Sequence, residues 1–221
     1  MSRASRIVKC VLVLSWLQLC WSIPSFASDN HNPTVASICE SAAQIASVES
    51  NVPLDVLRSI SLTETGRKKQ GVLRPWPWTV NIEGIGKWFD TFDAAQDYVE
   101  RHYDRGARSF DVGCFQINYR WHGQNFTSIE AMFDPTTNAR YAARFLGELY
   151  EEFGDWSKAA GAYHSRSPKF AKKYRARFDR ILANLPDVST MSLAPVPSAI
   201  LQQKPSEPRQ NNFPLLQSSG Q

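Results

Sequence analysis

The chain has 221 residues, of which 43% are hydrophobic, with 25 basic and 21 acidic residues for a formal charge of +4. That apolar share excludes a wholly disordered chain and suffices for a folded domain of ordinary size. The basic excess does not indicate a nucleic-acid binder, because Arg3, Arg6 and Lys9 stand in an opening segment without acids, and the rest holds 22 basic against 21 acidic residues.

An apolar run over residues 10–21 follows those three cations, breaks at Pro24 and reaches Ser25-Phe26-Ala27. This is the pattern of a signal peptide over residues 1–27, cut after Ala27, and it predicts export to the periplasm. About a dozen apolar residues fall short of the roughly 20 that span a bilayer, so no permanent membrane anchor is expected. Cys10 and Cys20 leave with this segment. Cys39 and Cys114 then meet an oxidising compartment, where one disulfide and two buried thiols are equally open readings. The four histidines show no ligand spacing, so neither a metal nor a cofactor is expected.

Residues 28–185 read as one domain, and residues 186–221, rich in Pro, Ser and Gln, as a disordered tail. Ile38, Ala42, Ile45 and Val48 mark a first helix. Pro53 opens a second, which carries Leu57, Ile60 and Glu64 along one face and stops at Gly66. Residues 78–89 read as a β-hairpin, residues 93–105 as a helix closed by Gly106, and residues 109–118 as a strand or extended loop. Asp134-Pro135 opens a helix to Gly154, Asp155 caps one over residues 156–164, and Ser167-Pro168 starts a last, basic one to about Leu185. The predicted class is α+β, mainly α, with a small β element between helices.

Glu64 is the chemically pointed residue. A carboxylate on the apolar face of a helix, in its last turn, is raised in pKa by lost solvation and by the negative helix end, which suits a general acid. Three segments surround this reading: Ser61-Leu-Thr-Glu64-Thr-Gly66, Asp111-Val-Gly-Cys-Phe-Gln-Ile-Asn118 and Ala159-Ala-Gly-Ala-Tyr-His164. In order and spacing they resemble the soluble lytic transglycosylase domain, a lysozyme-like family whose motifs are a helix ending in E-S-G, then G-L-M-Q-I, a helix asparagine and A-Y-N. Asn138 falls on the helix asparagine. Thr65, Cys114, Phe115 and His164 depart from the family's usual residues.

The resemblance implies a lysozyme-like fold and cleavage of the peptidoglycan bond between N-acetylmuramic acid and N-acetylglucosamine, without water, by Glu64 alone. It implies that Thr65, Phe115, Gln116, Asn118 and Tyr163 contact the sugar or, for Tyr163, steady the glutamate. Trp76, Trp78, Trp88 and Trp121 are candidates for stacking on sugars, and residues 67–111, long for the family, for a groove wall. The partner implied is the glycan strand, with a secretion, pilus or flagellar machine as a further candidate. The competing readings are a muramidase of the same fold, with Glu83 or Asp111 activating water, and a catalytically silent scaffold of a secretion apparatus.

Overall fold

The structure is a computed structural model that describes residues 35–69 and 71–185; the expected signal peptide and tail lie outside these residues. Helices occupy 63% of the described residues, and the strands are short and antiparallel, so the class is α+β, mainly α. No helix among the described residues is long and apolar enough to cross a membrane.

Helix α1, Val35–Glu49, packs on α6, Pro135–Phe153, and on α2, Leu54–Thr65. Its buried stripe is Cys39, Ala42, Ala43 and Ala46, whereas Val48 is 77% exposed. Of the predicted stripe, Ala42 is buried and Ile38 and Ile45 half-buried, so the inward face is turned toward the small side chains, because the neighbouring helices pack closely. The buried Arg58 of α2 donates from Nε to Glu40 of α1 at 2.9 Å. Burial raises the pKa of Glu40 in spite of this cation.

α2 ends at Gly66, whose N–H returns to the Leu62 carbonyl. A Cβ at Gly66 would sit 2.5 Å from that oxygen, so no larger residue fits. A hairpin that the sequence reading did not anticipate follows, β1 (Arg67–Lys69) with β2 (Val72–Arg74).

The expected second hairpin is present as β3 (Thr79–Ile82) and β4 (Ile85–Trp88), joined by Glu83 and Gly84. Both turn residues have positive φ, as two-residue hairpins of the normal strand twist require. α3, Phe92–Asp104, begins at Thr91, whose side chain accepts from Ala94 N. The segment read as a strand or extended loop divides into β5 (Phe110–Val112) and β6 (Ile117–Asn118), and the sheet runs β4-β3-β5-β6.

Three short helical pieces, α4 (Tyr119–His122), a 3-10 turn (Gly123–Asn125) and α5 (Ile129–Phe133), lead to α6. α6 opens on the Asp134 cap and Pro135 and stops at Gly154, which adopts the left-handed conformation. α7 (Trp156–His164) is capped by Asp155, and α8 (Pro168–Leu182) packs across α7 and α2. One apolar core joins α1, α2, the inner sheet face, α5 and α6, with Tyr174 and Phe178 of α8 closing it.

Candidate active site

The sheet gives one side of the site by simple alternation. Val80, Ile82, Phe110 and Val112 point into the core, so Asn81 and Asp111 between them must point the other way. Register sets Asn81 opposite Asp111, and Asp111 opposite Asn118. Asn81 and Asn118 each donate an amide N–H to Asp111, one to each carboxylate oxygen, both at 2.8 Å. The result is a row of amide, carboxylate and amide across three strands, along a cavity of about 510 Å³.

Glu64 meets this cavity from the last turn of α2. Leu57 and Ile60 on the same helix face are fully buried, while Glu64 keeps partial access through the cavity. Burial pushes its pKa up to about 8; the hydroxyl of Tyr174 and the charge of Arg177 pull it down, and the charge of Asp111 pushes it further up. A carboxylic acid held there is protonated at neutral pH and can give up its proton to a leaving oxygen.

The hydroxyl bonded to Glu64 is that of Tyr174, where the resemblance pointed to Tyr163. Tyr174 Oη donates to Glu64 Oε1 at 2.7 Å, from α8. Tyr163 lines the cavity, but its hydroxyl donates to the Phe115 carbonyl at 2.7 Å. His164 stacks flat on Tyr174, with ring centroids 4.7 Å apart, and burial lowers its pKa, so it stays neutral at neutral pH. Tyr174→Phe is expected to raise the Glu64 pKa further and move the alkaline limb of the pH–rate profile upward, because the hydrogen bond it loses favours the carboxylate. Tyr163→Phe should leave that limb in place. Identical profiles for the two variants would contradict this division of roles.

Two other residues expected at the substrate are buried away from the cavity lining. Thr65 is fully buried; its hydroxyl donates to the Ser61 carbonyl at 2.9 Å and accepts from Trp76 N at 3.1 Å. Phe115 is also fully buried, since the chain turns between β5 and β6 and carries its ring inward, breaking the expected alternation.

That turn is pinned by Asn138, which accepts from Phe115 N at 2.9 Å and donates to the Val112 and Met132 carbonyls. Gly113 has φ of 82°, and a Cβ there would lie 2.7 Å from Asn138 Nδ2, so glycine is required twice over. Cys114 is joined to Cys39 by a disulfide, with Cα atoms 5.5 Å apart, and its carbonyl accepts from Ser61 on α2 at 3.0 Å.

Gln116 and Asn118 do line the cavity. Gln116, at φ of 48°, turns its amide to the Thr79 and Gly113 carbonyls, at 3.0 and 3.1 Å. Of the four tryptophans, Trp88 and Trp121 border the cavity and stay 49% and 58% exposed. Trp76 is buried, with its Nε1 donating to the Phe89 carbonyl, and Trp78 packs edge-on to Phe92. Glu83 sits exposed on the hairpin turn and is not among the lining residues, although its neighbour Gly84 is.

Sequence reasoning missed Tyr174. A signal was present: Tyr174 and Phe178, four residues apart, are large ring residues on a helix that is otherwise mostly cationic, the mark of an inward stripe.

No curated protein and no solved structure matches the chain. A family model does: residues 93–181 match the Transglycosylase SLT domain, 89 of the 221 residues. The match takes in Asp111 and Asn118, the turn at Cys114, Asn138, Tyr163 and Tyr174, and begins after Glu64 and Asn81. Residues 93–181 are therefore similar to the Transglycosylase SLT domain, and the helix bearing Glu64 packs against them from outside that span.

Proposed function

We propose that the protein is an exported, periplasmic enzyme that cuts peptidoglycan glycan strands by lytic transglycosylation, with Glu64 as its acid and base. The observation that carries this reading is the Glu64 carboxyl group at the cavity, bonded by Tyr174, where burial pushes its pKa up to about 8. Glu64 gives its proton to the glycosidic oxygen as the C1–O4 bond breaks, and the substrate's own acetamide assists at C1. The Glu64 carboxylate then takes the proton of the C6 hydroxyl while O6 bonds to C1. The glutamic acid is restored, a 1,6-anhydromuramoyl end forms, and no water is consumed.

A second reading has one specific support: Asp111 lines the same cavity and acts on the charge of Glu64. As a base toward water it would make the enzyme a muramidase. Its two amide bonds argue instead for a fixed carboxylate, while burial raises its pKa. Mass spectrometry of fragments released from purified sacculi separates the two. Products lighter by one water are expected; reducing ends would transfer the assignment to hydrolysis. Service to an envelope secretion, pilus or flagellar machine is a further proposal, and co-purification from envelopes is its test.

A further inference from the structure

α8 has two unlike sides. Its inner side carries Tyr174 and Phe178 into the core and brings the Tyr174 hydroxyl to Glu64. Its outer side carries Lys169, Lys172, Lys173, Arg177 and Arg180, all exposed, and none of these forms an ion pair among the described residues. Six basic residues and one acidic residue make α8 net +5, whereas the other described residues hold 14 basic against 17 acidic, net −3. Positive charge is therefore gathered on one helix of a nearly neutral chain. Tyr174 of the same helix is bonded to Glu64 and stacks on His164, which lines the cavity, so α8 stands directly behind the cavity wall.

A second cavity, of about 240 Å³, opens where α8 meets α7. Phe153, Ala162 and Ala171 give it apolar walls, and Lys158, Arg166 and Arg175 put cations around them. Arg166 is engaged by Glu152. Arg175 is held in place: its Nε donates to Ser157 Oγ at 3.3 Å, and its stem lies against Gly161, where a Cβ would come within 2.7 Å. Small apolar walls beneath a cationic rim suit a ligand with short apolar side chains and free carboxyl groups.

We propose that the outer face of α8, with the pocket it shares with α7, binds the carboxylates of the peptide stems carried by the glycan substrate. This rests on the peptidoglycan reading above. α8 is separated from a sugar strand in the Glu64 cavity only by Glu64 and His164, and the stems of such a strand, rich in alanine and ending in carboxyl groups, match both the unpaired cations and the pocket. An anionic lipid surface would match the charge alone. The face offers one large exposed apolar side chain, Phe170 at 54%, where a membrane-inserting helix presents a stripe of them.

Sedimentation of the full chain in its Glu64→Gln form tests the proposal, because the bound wall then stays uncut. The probes are intact sacculi, glycan stripped of its stems by an amidase, and phosphatidylglycerol vesicles. The comparison variant adds Lys169→Gln, Lys172→Gln and Lys173→Gln. Removing the stems should weaken binding roughly tenfold, and the triple change should weaken binding to intact sacculi similarly while leaving stripped glycan unaffected. Salt at about 0.5 M should erase the difference, as expected for exposed charges. Equal binding to intact and stripped glycan would overturn the proposal, as would undiminished binding by the triple variant. Tighter binding to vesicles than to sacculi would make α8 a membrane face instead. Stem-dependent binding by a protein that releases no anhydro products would remove the lyase reading alone.

Discussion

Glu64→Gln is expected to lower glycan cleavage by at least about 10³-fold while leaving the protein folded, because the amide keeps the volume and loses the transferable proton. It should also make the protein more stable at neutral pH. With a pKa of about 8 against an ordinary 4.5, Glu64 binds its proton more tightly in the folded state than in the unfolded one. The stability that this proton confers is fully present below pH 4.5 and is lost as pH rises toward 8. One pH unit of that window corresponds to about 1.4 kcal/mol, so the native protein should lose on the order of a few kcal/mol across it, and the glutamine variant much less. Rates on sacculi together with chemical unfolding at pH 5 and pH 8 check both halves. Substantial residual cleavage would remove Glu64 from the chemistry, and parallel stability curves would show that its environment does not hold the proton.

Opening the Cys39–Cys114 disulfide is expected to produce the largest loss of stability. The bond joins residues 75 apart in sequence, and in the chain-entropy account a closed loop of that size is worth about 4 to 5 kcal/mol. For a chain of this size the unfolding midpoint should fall by roughly 10 to 15 °C. Both cysteines are fully buried, so a reductant reaches the bond only when the protein opens, and the reduced form must be prepared by unfolding and refolding. Scans of the oxidised and reduced protein, and of a Cys39→Ala, Cys114→Ala double variant, give the measurement. Activity should fall more than folding alone explains, because the Cys114 carbonyl also ties the turn to α2 through Ser61. A midpoint unchanged by reduction would assign the two sulfurs a packing role only.

Much of this could be read from the chain because the relevant signals are local. Pro53 and Gly66 bound α2, Asp134-Pro135 and Gly154 bound α6, and Glu83-Gly84 turns the hairpin, each through backbone preferences of one or two residues. Glu64 was legible as an acid on an apolar face, and structure and sequence put it there for the same reason. What was not legible depends on packing between distant segments. A tyrosine contacting Glu64 had to come from elsewhere, and periodicity cannot decide between Tyr163 and Tyr174 when both lie on short helices near the cavity. Thr65 and Phe115 sit within motif segments, yet the turn after Val112 and the approach of Trp76 bury them. α1 misled because an interface with close helices selects alanine, while the larger Val48 remains outside.

The position of Glu64 has a practical consequence for cutting the chain into pieces. The part recognisable by kinship starts at residue 93, yet the acid, its partner helix α1 and one sulfur of the disulfide all come before it. A fragment trimmed to the recognisable span would expose the wall against which α2 rests, leave Cys114 as a lone thiol and present the cavity without Glu64. On the proposed mechanism the smallest working unit is larger than the smallest identifiable one, and the hairpins between residues 67 and 88 lie in the stretch where the two disagree.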